Sequence, residues 1–157
     1  MIDELNEDGM RALLKRGLIG RIGCHAEGMT YIVPVSYAYE DDFVYLHAYE
    51  GMKLKLMRQN PAVCFEVDDI TDTSNWQSVI AWGRFEELEG PKMRTKALQI
   101  LNGRVLPLQS SITTHLGKAW PFADNSGKDV DGIIFRIRIA KKTGRYEYSG
   151  LTPNFNY

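Results

Sequence analysis

The turns between the first apolar runs are too short to carry a crossover, and this limits how the chain can pair. Ile19–His25 and Tyr31–Tyr39 are rich in β-branched and aromatic residues and are separated only by a turn at Ala26–Glu27–Gly28–Met29. Glu40–Asp41–Asp42 turns the chain again into Phe43–Ala48. Connections this short join antiparallel neighbours, whereas parallel strands need roughly a dozen residues or more between them. Three further strands are expected at Ala62–Val67, Trp76–Leu88 and Gly132–Ala140, with Gly83 a bulge or a point of close approach. Helices are expected from Asn6–Glu7 to a stop at Gly17, from the turn at Gly51 to the residues before Pro61, and from Pro91 to about Gly103. Asp68–Asn75 reads as a polar loop. Arg104–Asp131 reads as an irregular segment long enough to be functional or to cover a site. Six strands and few helices predict a mainly β fold, an antiparallel barrel with helices at its ends, and one domain over residues 1–157.

Charge excludes some partners. Nineteen Lys and Arg against twenty Asp and Glu leave a net charge of −1, which argues against general binding of nucleic acid or membrane surfaces. The acidic start Met1–Ile2–Asp3–Glu4–Leu5 has no signal-peptide character, no run approaches a membrane span, and Cys24 and Cys64 read as free thiols. Together these predict a cytoplasmic protein.

Anion recognition must therefore be local, and Val44–Pro61 is where it concentrates. An apolar strand ending at His47–Ala48 leads through a short polar turn into a helix opening on Met52–Lys53. The first N–H groups of a helix have no intrahelical partners and lie at the positive end of its dipole. Lys53 adds a full charge there, Lys55 and Arg58 keep the segment basic, and a phosphate-bearing ligand suits it. His47 ends the strand where an imidazole could donate to a phosphate or a ring carbonyl, although a hydrogen-bonded strand-end histidine fits as well. Lys53 read alone also fits a solvated charge. Tyr37, Tyr45, Tyr49, Trp82 and Trp120 could stack on a planar ring or serve as packing.

Gly17, Gly20 and Gly23 run from a helix end into a strand, the wrong order for a dinucleotide fingerprint, and Gly117–Lys118–Ala119 lacks the rest of a P-loop. Three histidines and two cysteines without ligand spacing predict no metal site.

Three segments, Tyr31–Tyr37, Leu46–Val67 and Trp76–Glu86, resemble in order and spacing the FMN-binding split-barrel family of pyridoxamine-phosphate-oxidase-like proteins, within it the Nim-type nitroimidazole-resistance branch. The resemblance implies a six-stranded antiparallel split β-barrel of the FMN-binding type. It implies that Val35, Ser36 and Tyr37 contact the isoalloxazine, that His47 and Ala48 meet the ribityl chain and phosphate, and that Lys53 pairs with the phosphate. Met52 stands where the family often has an arginine. Ser78 matches a polar side chain lent to the flavin, often by the other subunit, so a homodimer with flavin at its interface is implied.

The activity so implied is an FMN-dependent oxidoreductase, with FAD a possible substitute. It would pass electrons from a nicotinamide nucleotide to a small planar acceptor such as a nitroaromatic. No residue is assigned as catalytic, and Trp120 is a candidate for the substrate pocket. The chain lacks the Arg–Leu–x–Pro pattern of true pyridoxamine-phosphate oxidases in Leu151–Tyr157. The alternative is a non-catalytic flavin- or haem-binding module.

Overall fold

A computed structural model describes residues 1–104 and 131–150. In chain order the elements are β1 (Ile2–Glu4), α1 (Glu7–Arg16), β2 (Ile19–Ala26), β3 (Met29–Ser36), β4 (Ala38–Glu40), β5 (Phe43–Ala48), α2 (Met52–Gln59), β6 (Ala62–Asp72), β7 (Asn75–Glu87), α3 (Pro91–Asn102) and β8 (Ile133–Tyr148). Both early turns hold two consecutive residues in the left-handed region: Glu27 and Gly28 at φ 53° and 73°, Asp41 and Asp42 at 50° and 62°. Such turns match the twist of a hairpin and hold its strands antiparallel.

The strands form one antiparallel sheet in the order β3-β2-β6-β7-β8-β5-β4, with β1 added on β8. The two ends of that order, β3 and β4, are separated in the chain by Tyr37 alone. The sheet must therefore curl until its edges meet at that residue. β3 and β5 touch across the seam without pairing. The result is the antiparallel barrel with flanking helices that the sequence predicts, left split along one side.

Tyr37 closes the barrel by being fully buried. Its hydroxyl donates to the Leu14 carbonyl at 2.7 Å, its N–H donates to the Leu18 carbonyl at 3.2 Å, and its ring stands edge-on to Phe65 at 4.9 Å. Gly17 ends α1 as expected, but for another reason. Its φ of −65° suits any residue, and what excludes a side chain is space, since a Cβ would lie 2.3 Å from the Tyr37 hydroxyl. Gly83 is the expected point of close approach: the β7–β8 register shifts beside it, and a Cβ would lie 2.3 Å from the Arg138 carbonyl.

Inward residues of the strands, among them Ile22, Leu46, Phe65, Val67, Val79 and Phe135, pack with Leu13 and Leu14 of α1 and Leu54, Leu56 and Met57 of α2. Each such side chain contributes on the order of 1.5–3 kcal/mol on burial. α3 buries Ala97, Leu98 and Leu101 in a second cluster with Ala38, Tyr45, Leu88 and Ile134, covering the outside of β4, β5 and β8. Cys24 and Cys64 are free thiols; they lie on neighbouring strands, with Cys24 alone in the buried core.

Strand number and length depart from the sequence reading, with eight strands among the described residues where six are expected. The predicted Tyr31–Tyr39 strand breaks at Tyr37, because that side chain turns into the core. Asp68–Asn75 is mostly strand, not loop: β6 runs to Asp72 and β7 starts at Asn75. Its polar residues are solvated on both faces of the strand, where Asp68 pairs with Arg21 on one side and Asp69 with Arg16 on the other, both at 2.8 Å. β8 continues past Ala140 to Tyr148 by pairing with β7 and β1. Among the described residues no helix is long and apolar enough to cross a membrane.

Candidate functional site

The basic segment sorts itself into spent and unspent charge. Arg58 is gripped by two carboxylates, Glu50 at 2.7 Å and Glu87 at 2.6 Å, and hydrogen bonding from Arg58 holds the Glu50 carboxyl below its usual range. Lys55 lies 4.0 Å from Glu27. Lys53 makes no salt bridge among the described residues, and burial lowers its pKa. It stands at the start of α2, where the cap residue Gly51 offers no side chain to the first N–H groups and the first intrahelical bond runs from Lys55 to the Gly51 carbonyl at 3.1 Å. A partly desolvated ammonium on a helix start without a side-chain cap is a set of donors for which the described residues supply no carboxylate. A phosphate monoester supplies the missing charge and oxygens. Met52 beside it is exposed and adds no charge.

His47, at the end of β5, is 8% exposed. Its Nε2 donates to the main-chain carbonyl of Asp131 at 2.5 Å, and its ring meets Tyr49 edge-on at 5.3 Å. The returning chain fits only as glycine: Gly132 has φ +91°, and a Cβ there would lie 2.8 Å from both the Ala48 carbonyl and His47 Nε2. Ala48 itself is buried.

Across the seam, Val35 pairs with Gly20 and packs against the core, whereas Ser36 pairs with Ile19 and belongs to the opposite, outer face. Ser36 Oγ accepts a 2.8 Å bond from Arg104 Nη1. The β4–β5 register sets Ala38 opposite Tyr45. Ser36 ends β3 beside the break at Tyr37, His47 lies near the end of β5, and Lys53 stands on the helix that follows β5.

Tyr37, its ring sealed in the core, can offer the seam only the backbone part of the contact implied for it, and Ser78, implied as a residue lent by a second subunit, lies elsewhere within its own chain. Ser78 lies on β7 between Asp68 and Arg145, with strands intervening between it and both Ser36 and His47. Trp120 and most of the Arg104–Asp131 segment lie outside the described residues. The sequence reading passed over Arg104 and Gly132; the only signal for them was that they border that segment.

A cleft of about 660 Å³ opens between the end of α1, β4 and α3, with Lys15, Tyr39, Lys96 and Arg104 on its walls. It includes neither His47 nor Lys53, so the candidate phosphate position is a surface beside the seam rather than part of this cleft. On the outer face Ile32 and Trp82, 68% and 42% exposed among the described residues, lie in one cross-strand row through Gly23 and Cys64, and Arg21, paired with Glu66 and Asp68, separates that row from Ile19.

Comparison with known proteins agrees with this architecture. The family model for pyridoxamine 5′-phosphate oxidase matches residues 6–145. An FAD-binding protein from Mesorhizobium loti superposes with a TM-score of 0.69 at 28% identity, covering 93% of this chain and 98% of that one. An FAD-binding protein from Mycobacterium smegmatis has a TM-score of 0.65 at 20% identity, covering 92% and 98%. A protein named for 5-nitroimidazole antibiotic resistance, from Bacteroides thetaiotaomicron, has a TM-score of 0.69 at 19% identity, covering 93% and 87%. An uncharacterized protein, RA0666, of Rhizobium meliloti is 29% identical over 84 residues, which span 54% of this chain and 56% of that relative's length.

Proposed function

The chain belongs to the pyridoxamine 5′-phosphate oxidase family of flavin-binding split barrels, and from that premise we propose that it is an FMN-dependent oxidoreductase. The observation that carries the reading is Lys53, a partly buried ammonium with no carboxylate partner among the described residues, set at an uncapped helix start. That donor set fits the terminal phosphate of FMN. FAD, bound by two of the similar proteins, is the other flavin to test for.

In this reading Lys53 and the first N–H groups of α2 hold the phosphate. His47, locked by Asp131, shapes the bend beside it. Val35 and Ser36, with the backbone at Tyr37, border the ring. When bound, the flavin supplies the electron-transfer chemistry. The protein's part is to anchor and orient it and to keep water from one face. Electrons come from a nicotinamide nucleotide, and the acceptor is a small planar molecule of the nitroaromatic type.

The reading includes a homodimer. Within one chain Ser78 is remote from the seam, so only a second copy could bring it to a flavin. The exposed row of Ile32 and Trp82 is a surface that such a copy would cover.

The test is the visible spectrum of the purified protein, followed by mass spectrometry of whatever heat releases. Flavin absorbance with FMN released supports the reading, and FAD would change the cofactor assignment. A colourless protein that takes up neither added flavin would overturn it.

A further inference from the structure

Arg104 follows the last turn of α3, and among the described residues its guanidinium donates to two acceptors. Nε donates to the Leu101 carbonyl at 2.8 Å, one of the end carbonyls a helix leaves without an internal partner. Nη1 donates to Ser36 Oγ at 2.8 Å. The first bond fixes where the group sits, and the second delivers positive charge to a hydroxyl at the seam. Burial lowers the Arg104 pKa to about 10, so it stays charged at neutral pH. A charge-assisted bond in poorly hydrated surroundings is stronger than its counterpart in water. Ser36 keeps its own O–H while accepting this bond, and a hydroxyl polarised in this way becomes a better donor.

We infer that Arg104 is a positioning residue that acts through Ser36 on the bound flavin, so that the protein holds the reduced ring more tightly than the oxidised one. This rests on the flavin reading above. Two-electron reduction raises electron density on the ring and gives it negative charge at neutral pH. A donor backed by a cation therefore gains strength on reduction, and charge near the ring is one of the means by which proteins tune flavins. Lys53 differs in kind. It faces the phosphate, whose charge does not change on reduction, so it strengthens both states alike.

The experiment is the midpoint potential of the flavin-loaded protein, measured together with its affinity for oxidised flavin. Arg104→Gln should lower the preference for reduced over oxidised flavin about tenfold, which for two electrons is a potential about 30 mV more negative. Arg104→Lys should recover part of the shift. Ser36→Ala should lower the potential similarly, and adding Arg104→Gln to it should change nothing further, because the two act as one unit. An unchanged potential in both single variants, or fully additive shifts, would overturn the inference and leave the flavin reading standing. A protein that binds no flavin would overturn both. If Arg104→Gln does not fold, Ser36→Ala decides alone, and an unchanged potential there refutes the inference.

Discussion

His47 and Asp131 are 84 positions apart in the chain and share a 2.5 Å hydrogen bond from the imidazole Nε2 to the main-chain carbonyl. The bond staples the end of β5 to the approach to β8, and Gly132 makes it possible by turning left-handed against the same ring. Because a carbonyl only accepts, Nε2 must carry a proton, so only Nδ1 remains for any other partner.

Cutting this staple should be felt in stability. His47→Ala should lower the unfolding free energy by about 1 kcal/mol, the net worth of a part-buried hydrogen bond whose acceptor, on exposed Asp131, can turn to water. Gly132→Ala should also destabilise, since it combines a left-handed backbone with a 2.8 Å clash. Urea unfolding midpoints measure both. Midpoints equal to the parent protein's would show that the bond does not hold the strands together.

Among the basic residues of α2, only Lys53 should matter for the cofactor. Lys53→Ala is expected to weaken flavin binding by about 1.5–3 kcal/mol, roughly ten- to a hundred-fold. Lys55→Ala should do little, because that ammonium lies at the surface, 4.0 Å from Glu27. Titration by flavin fluorescence compares the two, and equal effects would refute the assignment of the phosphate position.

Acid should loosen the β4–β5 turn. The Lys142 ammonium at 2.8 Å, assisted by the Tyr39 hydroxyl, holds the Asp42 carboxyl below its usual range. A depressed carboxylate pKa stabilises the fold above the unfolded-state value of about 3.9, and that contribution is lost as pH falls through the lower, folded value. Asp42→Asn keeps a residue that tolerates the left-handed turn. It should therefore be less stable than the parent near neutral pH by a constant margin, and that margin should shrink below about pH 4. A margin independent of pH down to strong acid would mean that the carboxylate charge contributes nothing.

The exposed row of Ile32 and Trp82 bears on assembly. Trp82→Asp should replace the largest apolar side chain of that row with a charge and shift the protein toward monomer, with flavin affinity falling alongside. Analytical ultracentrifugation with parallel flavin titration reads both. A variant that assembles and binds like the parent would separate this face from the site.

Several features were legible in the residues themselves because they are local. Short turns at Ala26–Met29 and Glu40–Asp42 dictate hairpins, and the apolar runs dictate strands. Gly83 was readable as a close approach because a glycine within a strand has few other uses. What the chain could not reveal was which charges would find partners: Lys53, Lys55 and Arg58 look alike in sequence, and only folding brings Glu27, Glu50 and Glu87 to two of them. Nor could it show that Tyr37 is a core residue, since the same aromatic would suit a flavin edge. The contacts of Arg104 with Ser36 and of Asp131 with His47 join positions 68 and 84 residues apart. Local pattern determined the helices and the hairpin turns and where most strands begin, while pairing partners decided where β6 and β8 end. Closure of the sheet on itself decided which side chains share a site, because that depends on distances through space that residue spacing does not encode.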